Sequence, residues 1–297
     1  MATLKAWLGV ARAPFLLLPV TLVASGAAAA SYAYSVDWPR TLLALVGLIA
    51  LHASVNALNE ASDFRAGIDL KTRRTPFSGG SGTLPAGALA PRTAFLFGLG
   101  AAAVGLAIGI VLLFEVGPVL LPVLVVGAVC VLLYSDVLTR NAAGEVAAGL
   151  GLGALPVIGT ALIQNGTLPL EAAAACIPAF FMTFDLLLLN EFPDEGPDRE
   201  GGRKHLVVLL GRRGAALLYA LAALLTPASI AVAVAARALP RLCLVALVPS
   251  LLLFLPLRWA FTDPKRAVPV GALAANVAWN LLTNAGIAAG LAASSFA

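Results

Sequence analysis

Charged residues are scarce in this sequence. Asp, Glu, Lys and Arg make up only 11% of its 297 residues, whereas 60% are hydrophobic. Because soluble domains carry roughly a quarter charged residues, the composition excludes an ordinary soluble domain. Apolar runs long enough to cross a bilayer recur along the whole chain, and none alternates with the period of a barrel strand. The sequence therefore predicts an all-α, polytopic membrane protein.

Cysteine and histidine are also rare, with three and two residues. Cys130, Cys176 and Cys243 all lie within apolar runs and show no ligand spacing. Their odd number and placement argue against a disulfide framework or a zinc site and favour small buried side chains. The net charge is +4, but no basic domain interleaved with aromatic residues accompanies it, so we expect no nucleic-acid partner.

The apolar runs predict nine transmembrane helices, packed as one bundle around a central cavity and forming a single domain over residues 1–297. Two long connections, near residues 61–92 and 193–213, are rich in Gly, Pro and charge. We expect them to form caps at one membrane face. The predicted spans lie near residues 14–34, 41–60, 93–114, 117–135, 143–163, 171–192, 214–236, 240–260 and 269–293.

The basic residues predict the orientation of the bundle. If the N-terminus is cytoplasmic, only three of the 19 Lys and Arg residues lie outside, namely Arg40, Arg237 and Arg241. This asymmetry is what the positive-inside rule predicts. The sequence thus indicates an integral membrane protein with a cytoplasmic N-terminus and a site that opens to the cytoplasm. We expect its bilayer to be a bacterial inner membrane.

The acidic residues follow a separate pattern. Eight of the 15 Asp and Glu residues lie in two windows, each of which closes an even-numbered span. The first window reads NEASDFRAGID over residues 59–69, and the second begins with NEFPDEGPD over residues 190–198 and extends to Glu200. Several carboxylates at one depth repel one another unless cations hold them together. Since oxygen ligands with no His or Cys nearby favour Mg²⁺, the windows predict a magnesium site on the cytoplasmic side.

Basic residues accompany both acidic windows on the same face. They are Lys71, Arg73, Arg74, Arg140, Arg203 and Lys204. Acids that hold Mg²⁺ beside bases that hold oxyanions describe a diphosphate site. The apolar bundle beneath them describes a place for a long hydrocarbon tail. As an alternative, the basic residues only set the topology from solvated loops, although this leaves the two matched N-E-x-x-D motifs unexplained.

These motifs resemble those of the UbiA superfamily of intramembrane prenyltransferases, and the resemblance spans nearly the whole chain. The first window resembles the first family motif in its menaquinone-type spacing, six residues from Asp63 to Asp69. NEFPDEGPDREGGRKHLVVLLG, from Asn190, is similar to the second motif, and RRTPFSGGSGTLPAG, from Arg73, is similar to the basic-then-glycine loop. YSDVLTRNAAGEVAAGLGLG, from Tyr134, and ARAP, from Ala11, resemble two further family segments.

The resemblance implies a set of site residues and two Mg²⁺ ions. The metal ligands would be Asp63, Asp69, Asp194 and Asp198, with Asn59 and Asn190 assisting and with Glu60 and Glu191 as further candidates. Glu60 stands where many members carry Asp, so its reach to a metal is longer. The six basic residues would offset the charge of a departing diphosphate. An electron-rich aromatic acceptor would attack the allylic cation, and Tyr134 would stabilise that cation or bind the diphosphate.

Three polar residues have two interpretations each. Asp185 lies within the sixth span, and it either orients or deprotonates an aromatic acceptor or pairs with a Thr or Asn of a neighbouring helix. His52, one to two turns before Asn59, either lines the same cavity or is a structural histidine. Glu145 is expected to cap the fifth span or to hold a basic loop residue.

Three functions are compatible with these patterns. The first is Mg²⁺-dependent transfer of an isoprenyl group from a polyprenyl diphosphate to an aromatic acceptor, in menaquinone or related quinone biosynthesis. The second keeps the donor site but changes the acceptor to a glycerol phosphate lipid, a chlorin or haem ring, or the double bonds of the cation itself in a terpene cyclase. The third is a non-catalytic carrier of divalent cations or polyprenyl phosphates. Polar motifs at one membrane face count against the carrier.

Overall fold

The computed structural model describes residues 3–295, so residues 1–2 and 296–297 of the predicted domain lie outside it. Every regular element in the described part is a helix, which confirms the all-α prediction. Within residues 3–295, seven helical segments are long and apolar enough to cross a membrane. They are Ala13–Ala33, Trp38–Arg65, Pro91–Val116, Gly144–Asn165, Leu170–Glu191, Leu206–Ala235 and Arg241–Thr262.

These segments coincide with seven of the nine predicted spans. The other two predicted spans are helical as well, at Pro118–Leu132 and Val270–Ser295. The first is shorter than the roughly 20 residues that a bilayer requires. The second is long enough but carries Asn276, Asn280 and Asn284 along one buried face, which lowers its hydropathy. Membrane crossing by these two helices stays a prediction.

The helices are labelled in chain order. They are α1 (Leu4–Val10), α2 (Leu17–Ala33), α3 (Trp38–Arg65), α4 (Ile68–Lys71), α5 (Pro91–Val116), α6 (Leu121–Leu132), α7 (Gly144–Gly149), α8 (Leu155–Asn165), α9 (Leu170–Glu191), α10 (Glu195–Glu200), α11 (Leu206–Ala235), α12 (Phe254–Thr262) and α13 (Val270–Ser295). A π-helical stretch joins α7 to α8, and a 3₁₀ stretch precedes α12.

Local sequence sets the start and the end of α3, which carries the first acidic motif. The Asp37 side chain accepts the main-chain N–H of Arg40 at the start of the helix, where Pro39 is tolerated because its missing N–H would have no partner. Beyond the end of the helix, Gly67 adopts a φ of 74°, a left-handed conformation that glycine adopts without steric cost. The resulting turn folds α4, with Asp69, back toward α3.

The second motif ends differently. A Gly-Pro pair in sequence predicts a helix end, but α9 already ends at Glu191, and Gly196-Pro197 lies in the first turn of α10. A proline is tolerated there because, at the start of a helix, it lacks only an N–H that would have no intrahelical partner. Asp194 therefore stands at the junction of two helices.

Close helix packing completes the bundle. Helix α3 packs along α5 and α9 along α11, while α13 lies against α2 and the 3₁₀ stretch before α12. At the contact between α13 and this 3₁₀ stretch, a Cβ on Gly290 would lie 2.6 Å from the Cα of Cys243. Only glycine allows the two backbones to approach so closely, as small residues do at other helix interfaces in membranes.

The two long connections are shorter than predicted. Helix α3 continues to Arg65 and α11 begins at Leu206, so the connections cover residues 66–90 and 192–205 and contain α4 and α10. The predicted start of the seventh span, near residue 214, was late because Gly211 interrupts the helical dihedrals with a φ of 67°. The helical dihedrals resume after Gly211, so the regular apolar run that predicts a span begins only beyond it.

Candidate active site

The two acidic motifs line one cavity of about 180 Å³. The residues of the predicted site that line it are Asn59, Asp63, Asp69, Tyr134, Asn190, Glu191, Asp194, Asp198 and Arg203. Helix α3 contributes the first motif from one side and the end of α9 contributes the second from the other. Below these polar groups the cavity wall is largely apolar, with Phe15, Leu48 and Leu187 among its residues. The structure therefore brings together two sequence segments at the same end of the bundle.

Arg203 joins the two motifs directly. Its guanidinium donates to the Asp63 carboxylate and, over 2.7 Å, to the amide oxygen of Asn59, while its Nε lies 3.6 Å from Asp198. Burial alone would lower the pKa of Arg203, but the carboxylates of Asp63 and Asp198 raise it above the ordinary value. Arg203 is therefore a permanent positive charge held between the first and second motifs.

The glycine-rich loop covers both motifs from above. The main-chain N–H of Gly79 donates to the Asp194 carboxylate over 2.9 Å. Gly80 has a φ of 69°, and a Cβ there would lie 2.8 Å from a carboxylate oxygen of Asp69. Glycine is thus required at this position on two counts, conformation and space. The loop places main-chain groups against carboxylates of both halves of the site.

The carboxylates of Asp69 and Asp194 are partly unsatisfied. The Oδ2 atom of Asp69 and the Oδ1 atom of Asp194 are buried without a hydrogen-bond partner. Burial, together with the carboxylates of Asp63 and Glu60, raises the pKa of Asp69 to about 7. Burial and the nearby carboxylate of Asp198 raise the pKa of Asp194 to about 7. Buried, unpartnered carboxylate oxygens in an all-oxygen setting fit a hard divalent cation such as Mg²⁺.

Glu60 takes a different position from the other acids of its motif. Its side chain is fully buried and does not line the cavity. One carboxylate oxygen accepts from the Arg12 side chain over 3.2 Å and from the main-chain N–H of Ser81, and the other accepts from the Ser81 hydroxyl over 2.7 Å. Glu60 therefore fastens the glycine-rich loop and the start of the first span to α3.

Of the six predicted basic residues, only Arg203 lines the cavity. The other five are exposed: Lys71, Arg73, Arg74, Arg140 and Lys204. Lys71 pairs with Glu200 over 2.7 Å, a contact that joins α4 to α10. These five charges therefore lie in contact with solvent and outside the cavity.

The remaining polar residues divide between the cavity and the helix interfaces. Tyr134 and His52 both line the cavity and are buried, and Nδ1 of His52 has no hydrogen-bond partner. Asp185 is fully buried but does not line the cavity. Its main-chain oxygen accepts from Asn276 on α13, whose own side-chain oxygen accepts from the hydroxyl of Tyr219. The structure thus places Asp185 at the interface of α9 with its neighbours.

Sequence reasoning missed Arg12 and His205 as site residues and assigned Glu145 a different contact. Arg12 lines the cavity and pairs with Glu60; it had been noticed only as part of the ARAP segment. His205 is buried beside the second motif, with its Nε2 atom 3.3 Å from Asp198. Glu145 neither caps its own helix nor holds a basic residue, as had been expected, because its carboxylate accepts the main-chain N–H of Leu206 at the start of α11. Only the folded chain shows this contact across 61 residues.

A second, apolar cavity of about 340 Å³ adjoins the first. It runs between α3, α5, α6 and α8 and includes Leu99, Leu106 and Leu112 of α5 in its wall. The residues that line both cavities are Leu48, Leu51, Gly127, Val131 and Gly151. At Gly127 no atom lies within 4 Å of the position that a Cβ would take. An apolar space therefore continues from the polar cavity toward the lipid-facing side of the bundle.

Comparison with known proteins identifies relatives both in sequence and in structure. The family model of the UbiA prenyltransferase family matches residues 17–282. A 1,4-dihydroxy-2-naphthoate octaprenyltransferase of Bacillus subtilis (strain 168) is 25% identical over 211 residues, 68% of this chain and 67% of the relative. The protein of the same name from Mycobacterium tuberculosis (strain ATCC 25618 / H37Rv) is 29% identical over 226 residues, 74% of each chain. The structure of a UbiA homologue from Archaeoglobus fulgidus bound to GPP and Mg²⁺ has a TM-score of 0.70 at 16% identity and covers 97% of this chain and 99% of that one.

The raised pKa values of Asp69 and Asp194 predict that Mg²⁺ affinity depends on pH. Below pH 7 these carboxylates are increasingly protonated in the metal-free protein, so protons compete with the cation. We expect the dissociation constant for Mg²⁺ to rise by about tenfold or more when the pH falls from 8 to 6. Isothermal titration of chelator-treated protein measures it, with proton release checked in buffers of different ionisation enthalpy. An affinity that stays constant over this range contradicts the prediction.

Proposed function

The chain belongs to the UbiA prenyltransferase family, and we propose that it transfers an isoprenyl group from a polyprenyl diphosphate to an aromatic acceptor within the membrane, with Mg²⁺ as cofactor. The observation that carries this proposal is the single cavity in which carboxylates from two distant motifs, one buried arginine and an apolar wall meet. The carboxylates suit divalent cations, the arginine suits a diphosphate, and the wall suits a hydrocarbon chain. Together they match both ends of a prenyl diphosphate.

Each group of the cavity has a proposed role at the donor. Asp63, Asp69, Asp194 and Asp198 hold Mg²⁺, which, when bound, neutralises the charge of the diphosphate and supports its departure; we expect two ions. Asn59 orients Asp63, since its amide donates to that carboxylate over 2.8 Å. Arg203, the one predicted base inside the cavity, offsets charge on the departing oxygens. The exposed bases attract the anionic donor to the entrance.

Transfer then proceeds in a space that holds little water. Breaking the bond between C1 and the diphosphate oxygen leaves an allylic cation, with the bonding electrons on the diphosphate. The acceptor ring donates an electron pair to C1 and afterwards loses its ring proton, which the released diphosphate accepts. Water would quench the cation, and the apolar wall of the cavity excludes it. Tyr134, which lines the cavity, is positioned for its ring to stabilise the cation.

For the acceptor, we propose an aromatic acid or phenol of quinone biosynthesis, and menaquinone biosynthesis in particular. The two curated relatives named above, both 1,4-dihydroxy-2-naphthoate octaprenyltransferases, support this choice. His52 is a candidate to contact the acceptor, because it lines the cavity and its Nδ1 atom has no hydrogen-bond partner in the described part of the chain. Asp185, which does not line the cavity, is a less suitable candidate than the sequence suggested.

The cavity is proposed to open to the cytoplasm. Both motifs line one cavity, and the distribution of Lys and Arg residues supports a cytoplasmic position for it. The donor would then enter with its diphosphate at the cytoplasmic surface and its chain in the bilayer, and in a bacterium that bilayer is the inner membrane.

A second enzyme function keeps the donor site and changes the acceptor. That acceptor would be a glycerol phosphate lipid, a chlorin or haem ring, or the double bonds of the donor's own prenyl chain in a terpene cyclase. The polar groups that hold the donor would be the same for all of these. The acceptor is therefore what an assay must determine. A non-catalytic carrier is a weaker alternative because the family is one of transferases.

Product analysis tests the proposed function. We expect purified protein with Mg²⁺ and a polyprenyl diphosphate to prenylate 1,4-dihydroxy-2-naphthoate in preference to 4-hydroxybenzoate, a glycerol phosphate and a chlorin. Mass spectrometry identifies the products, and omission of Mg²⁺ serves as the control. Release of diphosphate without any prenylated aromatic product would rule out aromatic transfer, while a cyclised chain would establish the cyclase instead.

Removing one carboxylate from each motif tests the site. Asp63→Asn and Asp194→Asn keep the side-chain size but remove the charge that binds a cation, so we expect kcat/KM to fall by about 10²-fold or more. The matched control is Asp263→Asn, which changes an exposed Asp paired only with Arg266 and should leave kcat/KM within about twofold. Thermal melts confirm folding. If both variants of the motifs turn over at nearly the normal rate, the assignment is wrong.

A bulky side chain at position 127 tests the path of the donor's prenyl chain. Gly127→Phe places a ring in the open space between the two cavities, so donors whose chains extend past this junction should lose about tenfold or more in kcat/KM. Geranyl diphosphate, a much shorter donor, should be affected far less. Gly100→Phe is the matched control, since Gly100 has equally open surroundings but lines neither cavity. Equal losses for long and short donors would refute the path.

A further inference from the structure

A second cluster of ligand-type side chains lies behind the second motif. One atom each from Glu145, Glu191 and His205 lies within 4.8 Å of the other two. All three side chains are buried, with Glu145 fully so and His205 1% exposed. They come from three separate segments: the first turn of α7, the last residue of α9, and the residue that precedes α11.

These side chains present free ligand atoms to one another. Among residues 3–295, no hydrogen-bond partner is found for the buried Oε2 atoms of Glu145 and Glu191 or for either ring nitrogen of His205. Two buried carboxylates this close repel each other unless a proton or a cation lies between them. The other oxygen of Glu145 already accepts the N–H of Leu206, so that carboxylate has a fixed orientation.

The surroundings of His205 also match those of a metal-bound histidine. Its Nε2 atom lies 3.3 Å from the Asp198 carboxylate, and its Nδ1 atom lies 3.8 Å from the Glu191 carboxylate. A ligating histidine commonly directs its second ring N–H to a carboxylate, which fixes the tautomer and leaves the other nitrogen for the metal. With Nε2 on the side of Asp198, Nδ1 is the nitrogen on the side of Glu191.

We propose that Glu145, Glu191 and His205 bind one divalent transition-metal ion of the Zn²⁺ class, beside the aspartate-lined Mg²⁺ site and distinct from it in ligands. An imidazole nitrogen favours Zn²⁺ and its neighbours over Mg²⁺, which prefers oxygen alone. Three protein ligands leave a fourth position for water in a tetrahedral shell. The ion fixes α7, α9 and α11 to one another, and through Asp198 it positions the second motif. This assignment does not depend on the identity of the acceptor or on transfer activity.

Metal analysis of the whole protein tests the site. Chelator-stripped protein is saturated with Mg²⁺, titrated with Zn²⁺, washed, and its metals are quantified by mass spectrometry, with X-ray absorption at the zinc edge to detect imidazole ligation. We expect one Zn²⁺ per chain with an imidazole signal in the wild type. His205→Gln should bind Zn²⁺ about 100-fold more weakly and lose that signal. The matched control is His52→Gln, which removes the only other histidine and should retain both.

Several outcomes overturn the proposal. Wild-type protein that binds no Zn²⁺ in excess Mg²⁺, or that binds it without imidazole ligation, shows that the cluster is a proton-sharing hydrogen-bond network. Equal Zn²⁺ affinities of His205→Gln and the wild type lead to the same conclusion. If His205→Gln fails to fold, the zinc-edge spectrum of the wild type alone decides. Glu145→Gln provides a second variant, for which we expect weakened Zn²⁺ binding with the imidazole signal retained at high Zn²⁺.

Discussion

The buried guanidinium of Arg203 is the interaction on which the rest of the site depends. It lies against Asp63 and Asn59 of the first motif and close to Asp198 of the second, with only 10% of its side chain exposed. Without a positive charge at this point, carboxylates from two helices would face one another in a medium that screens charge poorly. The same interaction sets the distance between α3 and the connection that leads into α11, and hence the width of the cavity.

The acids near this arginine serve different purposes according to what surrounds them. Glu60, paired with Arg12 and Ser81, is satisfied within the protein and stabilises the loop. Asp69 and Asp194 each keep a buried oxygen without a partner, which leaves them available to a cation. A carboxylate that is fully satisfied contributes to the fold, whereas one that is incompletely satisfied costs stability and is ready to bind. The site therefore combines stabilising and destabilising acids within a few residues of one another.

Much of the fold and of the candidate site could be predicted from the sequence, and physical reasons explain why the rest could not. Composition predicts the helices, because backbone groups in lipid leave no alternative, and two matched motifs predict a joint cation site. The sequence could not show that Glu60 turns away from Asp63, since both follow the same helical pattern and only the position of Ser81 separates them. Nor could it distinguish Arg203 from Lys204, which are adjacent in the chain but face the cavity and the solvent respectively. Glu145 and His205 meet only after helices far apart in sequence have packed.

The separation of Arg203 from Asp63, 140 residues along the chain, has a consequence for biogenesis. A ribosome delivers the first acidic motif to the membrane well before it has made the guanidinium that accompanies it. Until the sixth span has been inserted and the following connection has been synthesised, Asp63 has neither its counter-charge nor its partner carboxylates. A chain that stops early thus carries half of the proposed cation site, with its acids free to take up protons. Under the proposed function, an incomplete copy in the membrane lacks the groups needed to ionise a prenyl donor.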